Sequence, residues 1–217
     1  MKPTTSVLSR AALAAATSLT LSAALLGASG PAYADVVLDC MGGSLTVDQS
    51  VETVTVTGTC VDVVVSGSNT EVTMPAAASL TVTGANTDVI ATGHLGTVDL
   101  GGGNSSVTAP SAGDVTVSEG NDSATFAGSI GHAELLAGNV DLKADRTGDV
   151  LIRTANASLK ATASTEVVVR GANNQVRLTR LPSLKVVGPN NTVVVTKGRT
   201  EVVVRGANNR IRVHRRA

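Results

Sequence analysis

The sequence predicts an all-β chain folded as a single-domain parallel β-solenoid (a β-helix or β-roll) of about ten coils of 17–18 residues. Three observations carry this. The decapeptide TEVVVRGANN is spelled twice, at 165–174 and at 200–209. One asparagine recurs along the chain, at Asn69, Asn86, Asn104, Asn121, Asn139, Asn156, Asn173, Asn190 and Asn208, always 17 or 18 residues from the last. Around each of them the same four positions are apolar. Self-similarity at a fixed period marks a repeat architecture, in which each unit buries its apolar face only by stacking on its neighbours.

In chain order, residues 1–34 read as a secretory signal peptide. Lys2 and Arg10 form a positive leader ahead of an apolar run from Ala11 to Leu26, and Ala32-Tyr33-Ala34 offers a small-x-small cleavage site. The run is too short and too rich in alanine to span a bilayer. Cys40 stands too far behind it for a lipid attachment site. The expected product starts at Asp35, has no transmembrane segment, and is secreted, either extracellular or associated with the cell envelope.

Residues 35–61 read as an N-terminal capping coil. Val51 holds the asparagine position, with Leu45, Val47, Val54 and Val56 in the apolar positions, and Val36 and Leu38 form a preceding fragment. Cys40 and Cys60 are the two cysteines of the chain. An even count in an exported protein predicts a disulfide, here one that clamps the first coil.

Residues 62–217 form the repeat region. The apolar positions lie six and four before the asparagine, from Val63 and Val65 to Val202 and Val204, and three and five after it, from Val72 and Met74 to Ile211 and Val213. Period-two alternation on both sides of a turn gives two short strands per repeat, each with one apolar face. Enrichment in Val and Thr agrees. An antiparallel meander could carry the same pattern. It would have to close into a barrel, and strands of about five residues fall short of the roughly 9–11 that a membrane barrel needs. A solenoid closes its own core, with equivalent residues about 4.8 Å apart and ten coils spanning about 48 Å.

The asparagine suits the left-handed backbone of a tight turn, and the Gly that often stands two residues earlier is read the same way. Stacked asparagines can also donate and accept along a ladder. The residue just before each asparagine is small or Pro, as in Ser68, Gly120 and Pro189, which leaves room for the next coil.

The run VVGPNNTVVV, Val186 to Val195, resembles the repeat of the domain-of-unknown-function 3060 family, and the likeness extends from about Asp62 to Val213. It is weaker in the middle coils, where Glu119, Ala137 and Thr154 replace the turn glycine. The resemblance implies repeat architecture and a secreted or envelope location, chiefly in actinobacteria. It implies no activity and transfers no site residues.

Charge is segregated along the chain. Residues 35–141 hold 13 acidic residues and no Lys or Arg, while 142–217 hold 15 basic and 4 acidic, so the two parts carry −13 and +11. Lys143, Lys160, Arg177 and Arg212 share the position four after the asparagine, interrupted by Val194, and Arg153, Arg170 and Arg205 share the position three before it. Solvated surface charge is their ordinary role. As stacked files they are candidates for an anionic partner: a cell-wall polymer, a lipid surface, or the acidic half of another copy.

Chemistry is sparse. His94, His132 and His214 occupy different columns, and no clustered spacing suggests a metal or another cofactor. The sharpest catalytic candidates are Asp114, His132 and Asp149, seven before the asparagine in three successive repeats, an arrangement fit for proton transfer. No insertion between repeats is long enough to wall a pocket around them. Phe126 is the one aromatic residue after position 34 and belongs to an apolar column, so no platform for stacking nucleic-acid bases is expected. The favoured expectation is a secreted, non-enzymatic binding or scaffold module. The alternatives are a β-helix hydrolase or lyase acting on a polysaccharide, and a self-assembling structural protein.

Overall fold

A computed structural model describes residues 35–214. The leader expected over 1–34 lies outside the described residues, as do Arg215 and Arg216. Nineteen strands wind through the repeats, with no helix among the described residues. A part-coil contributes β1 (Asp35–Asp39) alone, and the coil of Val51 holds β2 (Leu45–Val47) and β3 (Thr53–Thr57). Four regular coils follow, with β4 (Cys60–Val65) and β5 (Glu71–Met74), β6 (Ala77–Val82) and β7 (Asp88–Ala91), β8 (Leu95–Leu100) and β9 (Ser106–Ala109), and β10 (Ala112–Val117) and β11 (Ser123–Phe126). The coil of Asn139 opens on β12 (Ser129–Leu135); β13 (Asp141–Ile152) and β14 (Ser158–Val169) then run unbroken round a corner from one coil into the next. β15 (Gln175–Arg180), β16 (Ser183–Val187), β17 (Thr192–Val195), β18 (Glu201–Arg205) and β19 (Arg210–Val213) complete the stack.

Every strand pairing is parallel and joins equivalent positions of successive coils: Val167 to Leu184, Leu184 to Val202, Val176 to Val193 and Val193 to Ile211. The molecule is therefore a β-solenoid, with ten coils and the part-coil of β1, and not a meander.

The apolar columns stack into one continuous core. Val63, Leu80, Val98, Val115, Ala133, Val150, Val167 and Leu184 are buried in one column, and Val72, Val89, Val107, Ala124, Leu142, Leu159, Val176 and Val193 in another. Each fully buried Val or Leu contributes roughly 1.5–3 kcal/mol relative to an exposed one. The sequence reading did not anticipate a third inward column nine before the asparagine: Cys60, Ala77, Leu95, Ala112, Ile130, Thr147, Ser164 and Leu181, all buried. It gives the coil a short third side. Two of its members are hydroxyl residues, so it fails a purely apolar test. Ser164 stays satisfied by donating to the Gly148 carbonyl at 2.8 Å.

The turn behaves as its residues dictate. All nine asparagines have positive φ, between 53° and 65°, and Val51 takes the same conformation at 63°. The rotated peptide sends its N–H forward: Asn69 donates to the Ala85 carbonyl at 2.9 Å and Asn86 to that of Gly103 at 3.0 Å, each on the next coil. The Glu71 amide, two residues past Asn69, points the other way, to the Glu52 carbonyl at 3.1 Å on the preceding coil.

The glycine two before the asparagine has a different cause from the one expected. Gly67, Gly84, Gly102 and Gly171 are not among the residues with positive φ. They are needed because the coils touch there. A Cβ on Gly84 would lie 1.8 Å from the Gly67 carbonyl oxygen, and one on Gly171 would lie 1.6 Å from that of Thr154. Only Gly188 and Gly206 of this column combine that crowding with positive φ, at 145° and 132°.

The expected disulfide forms. Cys40 and Cys60 are bonded across 20 residues and both are buried. The bridge ties the loop after β1 to the first residue of β4.

Candidate functional site

Two polar systems run along the stack, one inside and one outside, the outer confined to the C-terminal half. The inner system lies one residue beyond the left-handed asparagine. Thr70, Thr87, Ser105, Asp122, Asn174 and Asn191 occupy this column and are buried, with Val140 and Ala157 between them. Each polar member other than Asp122 donates to the carbonyl two before the asparagine of the preceding coil: Thr87 to Gly67 at 2.9 Å, Asn174 to Thr154 at 2.8 Å, Asn191 to Gly171 at 2.9 Å. Several also accept the backbone N–H of the same column one coil back, as Asn174 does from Ala157 at 2.8 Å. These side chains staple successive turns together from inside. Buried backbone groups demand such partners.

The asparagines in the left-handed position itself point outward and are exposed. Their side chains bond along the stack at two steps, Asn86 to Asn69 at 3.1 Å and Asn139 to Asn121 at 3.2 Å. Their role is chiefly conformational, and the continuous buried file is the neighbouring column. The doubled asparagines Asn173-Asn174, Asn190-Asn191 and Asn208-Asn209 were the visible signal of it, because the second member repeats only where it serves as a staple.

Asp122 is the odd rung. Its Oδ1 accepts the Ser105 N–H at 2.7 Å, but its Oδ2 is buried without a partner, at the place where the other rungs donate. Burial pushes its carboxyl up to about 6, against the pull of the Ser105 bond and with a further push from the Glu119 charge.

The outer system is cationic. Lys143, Lys160, Arg177 and Arg212 stack in one file four after the asparagine, with Val194 in the gap. They face outward because Leu159, Ala161, Val176 and Leu178, on either side of them, face inward. Arg153, Arg170 and Arg205 stand at the end of the other strand, three before the asparagine. Lys143 pairs with Asp141 at 2.6 Å and Arg153 with Glu134 at 3.4 Å. Among the described residues, Lys160, Arg177, Arg212, Arg170 and Arg205 have no carboxylate within 4.0 Å. The short side chain of Val194 leaves a shallow recess of about 440 Å³, bordered by Lys160, Arg177, Thr179 and Thr196.

A larger recess, about 1050 Å³, opens at the C-terminal end of the tube between Arg180, Lys197, Arg199, Thr200 and His214, with Val202 and Val213 on its apolar side. The sequence reading passed over Arg180, Lys197 and Arg199. The signal was present: Arg199 stands in the column that Leu181 fills one coil earlier.

Asp114, His132 and Asp149 do lie side by side on successive coils. All three are exposed, on a flat strand surface. Asp149 accepts the Thr165 hydroxyl at 2.6 Å, and the two recesses open elsewhere. In the same column Asp62 accepts Ser79 and Ser44, and those bonds hold its carboxyl below the usual carboxylate range. Among the described residues no group of three His, Cys or carboxylate side chains is placed to hold a metal ion, and no helix is long and apolar enough to cross a membrane.

The family model described as "Protein of unknown function (DUF3060)" matches residues 50–91 and 152–216, the family that the repeat resembles. The unmatched interval covers the middle coils. In two of them the turn glycine moves one place, to Gly120 and Gly138, and Glu119 and Ala137 take its former position. No curated protein and no solved structure matches the chain.

Proposed function

We propose that this chain, whose outer coils carry the repeat of a family of unknown activity, is an exported, non-catalytic scaffold that binds an anionic polymer along its C-terminal half. The observation that carries the reading is the set of cations without carboxylate partners. Lys160 and Arg177 stand one coil apart, about 4.8 Å, on a strand surface that cannot rearrange without unstacking the core. Held that way, they lose little conformational freedom when a ligand arrives. The leader over 1–34 and the expected disulfide agree with an exported protein.

The polymer class follows from the charge: repeating phosphates or carboxylates, as in an acidic cell-wall polymer. The test is retention on purified cell wall at low and high salt. The wild-type chain is retained at low ionic strength and released as salt screens the contact. Replacing Lys160, Arg177 and Arg212 together by Gln abolishes retention, and the exposed positions leave the fold intact. Salt-independent retention, or retention that survives the triple substitution, rejects the reading.

The polysaccharide-cleaving alternative has one point in its favour, the adjacency of Asp114, His132 and Asp149. Their exposure on an open face counts against it, because catalytic groups work in recesses that exclude water. Turnover of any acidic polysaccharide that His132→Ala abolishes would restore it.

A further inference from the structure

We propose that the C-terminal end of the solenoid binds the N-terminal end of a second copy, strand edge to strand edge, through β19 of one chain and β1 of the next. The two ends are unfinished in complementary ways. The inward columns are buried through the coils between them, yet in the last coil Val204 is 43% exposed and Val202, Ile211 and Val213 are half-buried. At the other end Val36 and Leu38 are half-buried too. Among the described residues β1 pairs only with β3, and β19 only with β17, so each offers a parallel edge with no described partner. Such edges recruit other strands unless they are covered.

The positions match residue by residue. β1 pairs β3 with Asp35 on Thr53, Val36 on Val54 and Leu38 on Val56. Asp35 therefore belongs to the same column as Arg210, and Val36 and Leu38 to those of Ile211 and Val213. If β1 continues the stack beyond β19, Asp35 falls beside Arg210, Val36 on Ile211, Leu38 on Val213, and Asp39 beside His214. The apolar residues complete two core columns, and the outward Asp35 meets the opposite charge of Arg210.

Charge selects this occupant over others. Residues 35–61 hold four acidic residues, Asp35, Asp39, Asp48 and Glu52, and no Lys or Arg. The last coil holds Arg199, Arg205, Arg210 and Arg212, against Glu201 alone. Two C-terminal ends would repel, whereas a C-terminal and an N-terminal end attract. The contact is heterologous, so it builds a line and not a closed pair. It is also limited. β1 starts at the column of Arg210, so no strand is supplied to cover β18. The joint stays below about 1,200 Å², the range of transient contacts, and its ionic part is screened by salt.

The proposal needs the edge of β1 free, and so rests on removal of residues 1–34. The test is sedimentation velocity on the chain recovered from an exporting host, with its N-terminus read by mass spectrometry. At about 20 mM salt the sedimentation coefficient rises with concentration, and at about 500 mM the monomer alone remains. Arg210→Glu and Asp35→Lys each give monomer at low salt, and mixing the two variants restores association, because each supplies the charge the other's altered end needs. Circular dichroism confirms that both variants keep the wild-type β signature. Monomer at every concentration at low salt overturns the proposal, as do association indifferent to either substitution and a mixture that stays monomeric. A mass that retains residues 1–34 refutes the export reading separately, and the same sedimentation runs on a chain begun at Asp35 then decide the assembly.

Discussion

The backbone N–H of Asn174 donates to the side-chain Oδ1 of Asn191 on the next coil, at 2.9 Å. The Nδ2 of Asn191 donates in turn to the Gly171 carbonyl, also at 2.9 Å. One buried side chain thus satisfies a donor and an acceptor of the coil before it. Asn191→Ala leaves both groups stranded and costs about 2–4 kcal/mol in chemical denaturation. Asn190→Gly, at the exposed left-handed position beside it, costs less than about 1 kcal/mol, because Gly adopts positive φ freely. Equal losses at the two sites would show that the outward column, not the buried one, holds the turns together.

Asp122 makes stability depend on pH. Its carboxyl, ordinarily at 3.8, is raised to about 6 in the folded chain. A raised acid holds its proton more tightly folded than unfolded. Its stabilising share is complete below 3.8 and is lost as the pH climbs through about 6. The loss at neutral pH is of order 2–3 kcal/mol. Asp122→Asn keeps the acceptor for Ser105 and adds a donor toward the carbonyl that the other rungs use, which here is that of Gly102. Its melting temperature exceeds the wild type's at pH 7, and the gap closes at pH 4. A gap of the same size at both pH values contradicts this.

Close approach between coils makes the turn glycines unequal. Gly171→Ala places a Cβ 1.6 Å from the Thr154 carbonyl oxygen and forces the coils apart, at about 1–3 kcal/mol. Gly43→Ala meets nothing nearer than the Cys40 carbonyl at 3.6 Å and leaves the melting temperature within error. Comparable melts for the two variants would remove the steric explanation.

Reduction of Cys40–Cys60, which closes a loop of 20 residues, removes about 3 kcal/mol. The loss is local. Hydrogen exchange at Val36 and Leu38 in β1 accelerates first, while Val167 and Val176, buried at the centre of their columns, keep their protection. Uniform acceleration along the stack would mean that the bridge restrains the whole molecule.

The strands and their order were readable because backbone stacking converts periodicity directly into contact. Val63, Leu80 and Val98 repeat one column and bury one surface. The third column escaped notice because Thr147 and Ser164 sit in it as buried hydroxyl residues, one of them satisfied by a backbone carbonyl. The buried polar file was half visible. Asn174, Asn191 and Asn209 spell it, but Thr87 and Ser105 do the same work with other chemistry, Asp122 does only the accepting half, and no single residue type marks the column. The turn glycines were noticed for the wrong cause, since sequence shows that a side chain is missing and not which carbonyl would strike it. For the surface, sequence placed Lys160, Arg177 and Arg212 in one file. It could not show that Lys143 and Arg153 are engaged by Asp141 and Glu134, because those pairings depend on side-chain reach across and along strands.

The central claim is that equivalent positions of successive repeats lie side by side and parallel. Nuclear Overhauser contacts in a labelled sample test it most directly. The account predicts inter-strand contacts between Val167 and Leu184 and between Val176 and Val193, neighbours one coil apart. Backbone contacts that instead pair Val169 with Val176 across the Asn173 turn, in antiparallel sense, would contradict it.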